Sequence, residues 1–274
     1  MVRPRTDHDR PPTPVAASWR RIEAWLGDHV PAIGVSLRPG VPPEDLARFE
    51  AETGLRLPDD VRASWLIRDG QKPIPWSPAI PEDGPDEEDS DDEDEEEAGT
   101  PIYNGLIFGM ELLPLIDAGA SLTTKSVLSE YRRWEKVVAD GGNEALDHDC
   151  TSYPVGAIRC RYASRGWVPL HAEEGSSDCL GIDLEPGPNG VVGQVINFGR
   201  DQRAKYVLAC SWAQFLEDVA EELEAGNFVV NDDSEVKLGG LMLQLQMRWP
   251  RKGRLAGNYR AWSEAKVARP TEEP

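Results

Sequence analysis

The spacing of apolar residues predicts helices first and strands later. Trp19, Ile22, Trp25 and Leu26 recur at three- and four-residue intervals, so "SWRRIEAWL" predicts a first helix, capped by Ser18 and ended by Gly27. A second helix follows "PGVPPEDL". Its prolines suit a first turn, Glu44 and Asp45 complement the positive end of the helix dipole, Leu46 and Phe49 face inward, and Gly54 closes it. A third lies in "LPDDVRASWLIRDGQ", where Leu57, Val61 and Trp65 fall four apart on one stripe. Prolines at 73, 75, 78 and 81 then stop regular structure. "IYNGLIFG" predicts a strand, and "TKSVLSEYRRWEKVVAD" a helix with Leu128, Tyr131 and Trp134 on its apolar face.

From residue 154 the period becomes that of strands. "PVGAIRCRY", "GWVPLHA", "DCLGIDLEPG", "GVVGQVINFG" and "AKYVLA" are short, rich in Val and Ile, and separated by turn residues, which predicts an antiparallel meander. A helix closes it, with Ser211 and Gln214 at capping-box spacing and Trp212, Phe215, Leu216, Val219 and Leu223 as its buried stripe. "LGGLMLQLQMRW" fits a strand or a short helix. The fold class is therefore α+β: an antiparallel β-meander packed by N-terminal helices and a closing C-terminal helix. The expected organisation is a disordered lead over 1–17, one domain over 18–230 interrupted at 82–99, and an extension and tail over 231–274.

The interruption changes the electrostatic picture. Residues 82–97, "EDGPDEEDSDDEDEEE", hold thirteen acids and no base, and without them the net charge of −20 becomes −7. Such a run repels itself and has almost nothing apolar to bury, so disorder is expected. The acidic balance disfavours nucleic acid and anionic membrane, which require a basic footprint, and permits a basic protein partner. No stretch is apolar for the roughly 18–20 residues of a membrane span, and "MVRPRTDHDRPPTP" lacks a secretory core, so the expected location is the cytoplasm. The four cysteines form no C-x-x-C pair and are expected reduced and mostly buried.

Candidate chemistry is sparse. "DHDC", residues 147–150, has metal-ligand residue types without metal-ligand spacing, and would need His171 to complete a set. A solvated loop is the simpler reading, and neither a metal nor another cofactor is expected. No G-x-S-x-G occurs, "GSSD" reads as a turn, and "GPNGVVG" precedes a strand instead of a helix, so no catalytic residue is expected. Asp183 and Glu185 alternate along one strand and fit its polar side. Of the nine tryptophans, Trp19, Trp25, Trp65, Trp134 and Trp212 lie on helix stripes. Trp76, in a Pro-rich loop, and Trp167, at a strand start, are candidate anchors for a partner.

Six blocks in order carry a resemblance. They are "SWRRIEAWL", "PPEDLARFEAETGLRLPDD" running to Asp69-Gly70, the strand "GWVPL", "GIDLEP", "GQVINF" and "CSWAQFLEDVAEELEAGNF". Together, over roughly residues 18–228, they resemble the Smi/Knr branch of the SUKH superfamily. The resemblance implies an α+β binding module without catalytic residues. Bacterial members of that family act as immunity proteins that neutralise a toxin domain, and fungal members regulate cell-wall assembly. It also implies that Asp69, Gly70 and Gln71 form a turn beside a partner-binding surface; Trp76, Trp167 and Asp183 are expected to contribute to partner binding as well. The first expectation is an immunity protein holding a cognate, basic, nuclease-type toxin. The alternative is an intracellular adaptor or regulator in a signalling or cell-envelope assembly complex.

Overall fold

Helix α1 (Val15–His29) begins three residues before Ser18, on Pro14, and runs through Gly27. Ser18 is thus an interior, fully buried residue, and its hydroxyl caps nothing. Pro14 can start a helix because its fixed φ and missing N–H are tolerated there. The computed structural model describes residues 14–72, 74–75, 101–105, 110–116, 125–141, 144–173, 177–233, 242–247 and 255–267. The acidic run and Trp76 lie outside the described residues.

After α1 come α2 (Pro31–Ser36), β1 (Leu37–Pro39), α3 (Pro43–Thr53) and α4 (Asp59–Trp65), then β2 (Arg68–Gln71), β3 (Ile74–Pro75), β4 (Pro101–Gly105) and β5 (Glu111–Leu112). Gly54 ends α3 in the left-handed conformation, as the sequence predicts. Leu57 precedes α4 instead of belonging to it, yet is buried with Val61 and Trp65. Trp19 on α1 donates its indole N–H to Ser64 Oγ on α4 at 2.9 Å, so the apolar stripes of the two helices meet through a satisfied polar contact.

The second half contains α5 (Val127–Ala139), α6 (Glu144–Asp147), β6 (Thr151–Tyr153), β7 (Trp167–Ala172), β8 (Cys179–Asp183), β9 (Gln194–Phe198), β10 (Ala204–Ala209) and α7 (Trp212–Glu224). Then follow β11 (Phe228–Asp233), β12 (Met242–Met247) and α8 (Leu255–Lys266). The protein is α+β. Its main sheet has the order β5-β7-β8-β9-β10-β6, antiparallel except that β6 joins β10 in parallel. Strands β8 and β9 are buried along their whole length, so both faces of the sheet centre are covered. On one side, Trp134 of α5 and Trp167 pack on Phe198; on the other, the His171 ring lies tilted against Trp212 of α7.

Two sequence expectations need correction. "PVGAIRCRY" is a loop, because only Thr151–Tyr153 pairs, Gly156 turns at φ +77°, and Ser152 Oγ rather than a strand accepts the Ile158 N–H at 2.9 Å. Described residues after 230 also pack into the fold. Strand β12 pairs antiparallel with β11 and parallel with β4, and α8 packs on β10 with Tyr259 and Trp262 buried. The described elements after 230 thus contact both halves of the fold.

Candidate partner-binding residues

Asp69, Gly70 and Gln71 are not a surface turn. They form β2, paired with β1, and all three are buried. The Gln71 carboxamide donates to Ser36 Oγ at 3.0 Å and accepts from the Leu112 amide at 2.9 Å. Asp69 accepts from the Leu115 amide at 2.7 Å and pairs with Arg38 at 2.9 Å. Gly70, at φ +74°, lies so close to the next segment that a Cβ would stand 2.3 Å from the Pro114 nitrogen. This tripeptide ties the helical N-terminal half to the strand that edges the main sheet. Its polar groups satisfy backbone amides that would otherwise be orphaned, which leaves none of the three free to face a partner. Burial raises the Asp69 pKa, partly offset by the Leu115 amide and Arg38.

Trp167 and Asp183 are also interior. They face each other in register on β7 and β8, and both are buried. Asp183 accepts from the Glu185 amide at 3.0 Å and from the Gln194 side chain at 3.1 Å; the same Gln194 group donates to Ala157 O at 2.9 Å. Burial pushes the Asp183 carboxyl up to about 6, against those two hydrogen bonds. The Trp167 indole N–H also draws it down, without completing a hydrogen bond of good geometry. Above the Trp167 ring, at 5.0 Å, sits the ammonium of Lys205, itself buried and bonded to Gln202 O at 2.8 Å. Burial lowers the pKa of that lysine. Next to it, Asn197, Gln202 and Asp178 bond in series at 2.8 and 2.6 Å and hold the β9–β10 turn to the start of β8. Alternation along the strands places Trp167, Asp183, Gln194 and Lys205 on one face, but only tertiary packing makes that face interior.

The tetrad at 147–150 is likewise structural. Asp147 accepts from the Tyr162 amide at 2.6 Å, Asp149 pairs with Arg203 at 3.1 Å, and the Cys150 thiol points to Leu146 O. His171 is remote from it in role: fully buried under Trp212, it is kept neutral, with a pKa lowered by burial to about 3. Among the described residues no group of three or more His, Cys, Asp or Glu is placed to hold a metal ion. All four cysteines are free; Cys150 and Cys179 are buried, while Cys160 and Cys210 are exposed.

Two solvent-facing features stand out as candidate surfaces. An open groove of about 560 Å³ lies between α1 and the end of α7, where Arg21 bonds both carboxylate oxygens of Glu224, at 2.8 and 2.5 Å, and Arg20 donates to Ala16 O at 3.2 Å. The second is a pair of loops, 153–158 and 186–193, which carry Tyr153, Val155, Val191 and Val192 exposed. Sequence reading missed it because "PVGAIRCRY" has strand composition. The available signal was the Pro154 and Gly156 punctuation around Val155, and two valines directly after Asn189-Gly190.

What the fold and these residues define is an α+β module whose buried polar side chains hold the framework together. The chain belongs to the SMI1/KNR4 family (SUKH-1), whose model matches residues 40–218. It is similar to the cell wall biosynthesis/cell cycle regulator smi1 of Schizosaccharomyces pombe, at 36% identity over 81% of this chain and 38% of that protein. It also resembles the glucan synthesis regulatory protein of Neurospora crassa, at 32% identity over 82% of this chain and 41% of that one. The cell wall assembly regulator SMI1 of Saccharomyces cerevisiae is 28% identical over 81% of this chain and 43% of its own length. The chain thus spans about two fifths of the length of these relatives. Among the described residues no helix is long and apolar enough to cross a membrane.

Proposed function

We propose that this protein is a non-catalytic binding module that regulates cell-wall assembly by holding a protein partner, an adaptor role. The observation that carries this reading is the 36% identity, over 81% of the chain, to a protein named as a cell wall biosynthesis and cell cycle regulator. The relatives from Neurospora and Saccharomyces also carry regulator names. These names favour the regulator over the toxin-immunity role. The structure is compatible with binding rather than turnover, because the polar residues singled out from sequence bond to the protein's own backbone. Disrupting the gene in its native cell, then measuring wall glucan content and resistance to wall-digesting enzymes, tests the proposal. Altered glucan or altered resistance is expected. An unchanged wall, with loss of protection against a toxin encoded beside the gene, would return the immunity reading.

A further inference from the structure

Tyr153, Val155, Val191 and Val192 are four of the seven large apolar side chains exposed among the described residues, with Val155 at 80% and Val192 at 68%. The valines sit on two loops that are locked to each other, and Tyr153 ends β6 where the first loop begins. Gly187 N donates to Ala157 O at 3.0 Å, Asn189 N to Gly156 O at 3.1 Å, and the Asn189 carboxamide to Val155 O at 3.1 Å. Below them, Gln194 bonds to Ala157 O and receives the Val191 N–H at 3.1 Å, so the buried Asp183–Gln194 pair is the footing of the exposed valines. Tyr153 is fixed by stacking on Tyr206, with ring centroids 5.0 Å apart. Aliphatic side chains held in place by a backbone lattice lose little entropy on binding.

The charge on these segments runs against that of the chain. Residues 153–165 and 184–193 carry Arg159, Arg161 and Arg165 against the single acid Glu185, a net of +2 in a chain of −20. The three arginines are exposed, and none forms an ion pair among the described residues. Arg159 instead donates to Pro186 O at 3.2 Å, which places its guanidinium at the junction of the two loops. Glu185 is engaged by Ser164 Oγ at 3.2 Å. Other arginines of the protein find carboxylates, as Arg62 finds Glu50 and Arg68 finds Glu23.

Resting on the binding-module reading, we propose that the loops 153–165 and 184–193 form its docking surface, and that the occupant is an acidic segment of a partner protein that also carries aliphatic side chains. Carboxylates pair with Arg159 and Arg161, and aliphatic groups cover Val155 and Val192. Nucleic acid fits less well, because the exposed groups beside the arginines are mainly aliphatic and offer little for bases to stack on. The basic partner expected from net charge is replaced by an acidic one at this face, since local charge governs contact within a Debye length of about 8 Å.

The test uses the full chain and a short labelled peptide in which Glu and Leu alternate, followed by fluorescence anisotropy at low ionic strength. Saturable binding is expected, weakened about tenfold or more by Arg159→Glu with Arg161→Glu, and comparably by Val155→Ser with Val192→Ser. Arg20→Glu, on helix α1 and outside both loops, should leave affinity within about twofold. Amide chemical shifts of Gly156, Val191 and Val192 should move on titration. The idea is overturned by absence of binding, by indifference to both double variants, by equal binding of a single-stranded oligonucleotide, or by binding that appears only after residues 82–97 are removed. The last outcome would assign the surface to the chain's own acidic run. Failure here with an altered wall on gene disruption would leave the regulator role standing and remove only this surface.

Discussion

Trp262 donates its indole N–H to Leu208 O at 2.9 Å, across 54 residues of sequence. The ring is buried, tilts against Phe215 at 5.6 Å, and has the Lys266 ammonium 5.8 Å from its centroid. Lys266 in turn reaches Glu222 at 2.7 Å. A segment that looked like a tail therefore clamps β10 to α7.

Trp262→Ala should destabilise the protein by about 3–5 kcal/mol, the usual cost of removing a large buried aromatic. Trp262→Phe keeps most of the packing but leaves the Leu208 carbonyl unpaired, so about 1–3 kcal/mol is expected. Urea unfolding of both variants checks this. A wild-type midpoint for Trp262→Ala would show that α8 is not docked in solution.

Gly70→Ala should be more costly than a surface change of the same size. The new Cβ meets the backbone of Leu113 and Pro114 at 2.3–2.7 Å, and φ stays at +74°. Strain of this kind costs on the order of 2–3 kcal/mol or more. Thermal unfolding of Gly70→Ala beside Gly54→Ala separates the two effects: Gly54 also has positive φ but nothing within 4 Å. Equal losses for both would mean that the approach of β2 to Pro114 is not tight.

The Asp183 carboxyl is raised to about 6 in the folded protein from an ordinary value near 3.8. Between those values the folded state holds more protons than the unfolded state, so this group makes stability fall as pH rises from about 4 to 6, with no further loss above. Asp218, also raised to about 6 by burial, acts in the same direction. His171, lowered to about 3, acts oppositely: it costs stability as pH falls below 6.5. Asp183→Asn should remove one contribution. Relative to wild type it should fare better at pH 7 than at pH 4 by about 1–3 kcal/mol, measured by urea unfolding at both pH values. A wild-type pH profile in the variant would show that Asp183 titrates normally.

Removal of residues 82–97 should shift the melting temperature little. A run with thirteen acids offers almost no apolar surface to bury, and shortening a chain connection changes closure entropy by only about 1 kcal/mol or less. Differential scanning calorimetry decides; a cooperative loss of structure would reveal that the run is packed on the protein.

Periodicity was enough to place α3, α4, α5 and α7, with the Gly54 cap and the Ser211 side chain accepting the Gln214 N–H, because helix stripes and caps are written in residues three and four apart. The β7–β10 meander was legible for the same kind of reason: short aliphatic runs between turn residues pair with their neighbours in sequence. Order of blocks was sufficient to point to the family. What local pattern could not decide was exposure. Asp69, Gln71 and Asp183 are polar and lie beside glycines or turns, so they read as surface; they are buried because Ser36, Leu112, Leu115 and Gln194, 11 to 46 residues away, supply their hydrogen bonds. The same holds in reverse for Val155 and Val192, apolar yet left outside by two loops that bond to each other. Helix α8 and β12 show the remaining limit. Their partners, β10 and β4, are distant in the chain, and only tertiary packing decides that residues after 230 complete the fold.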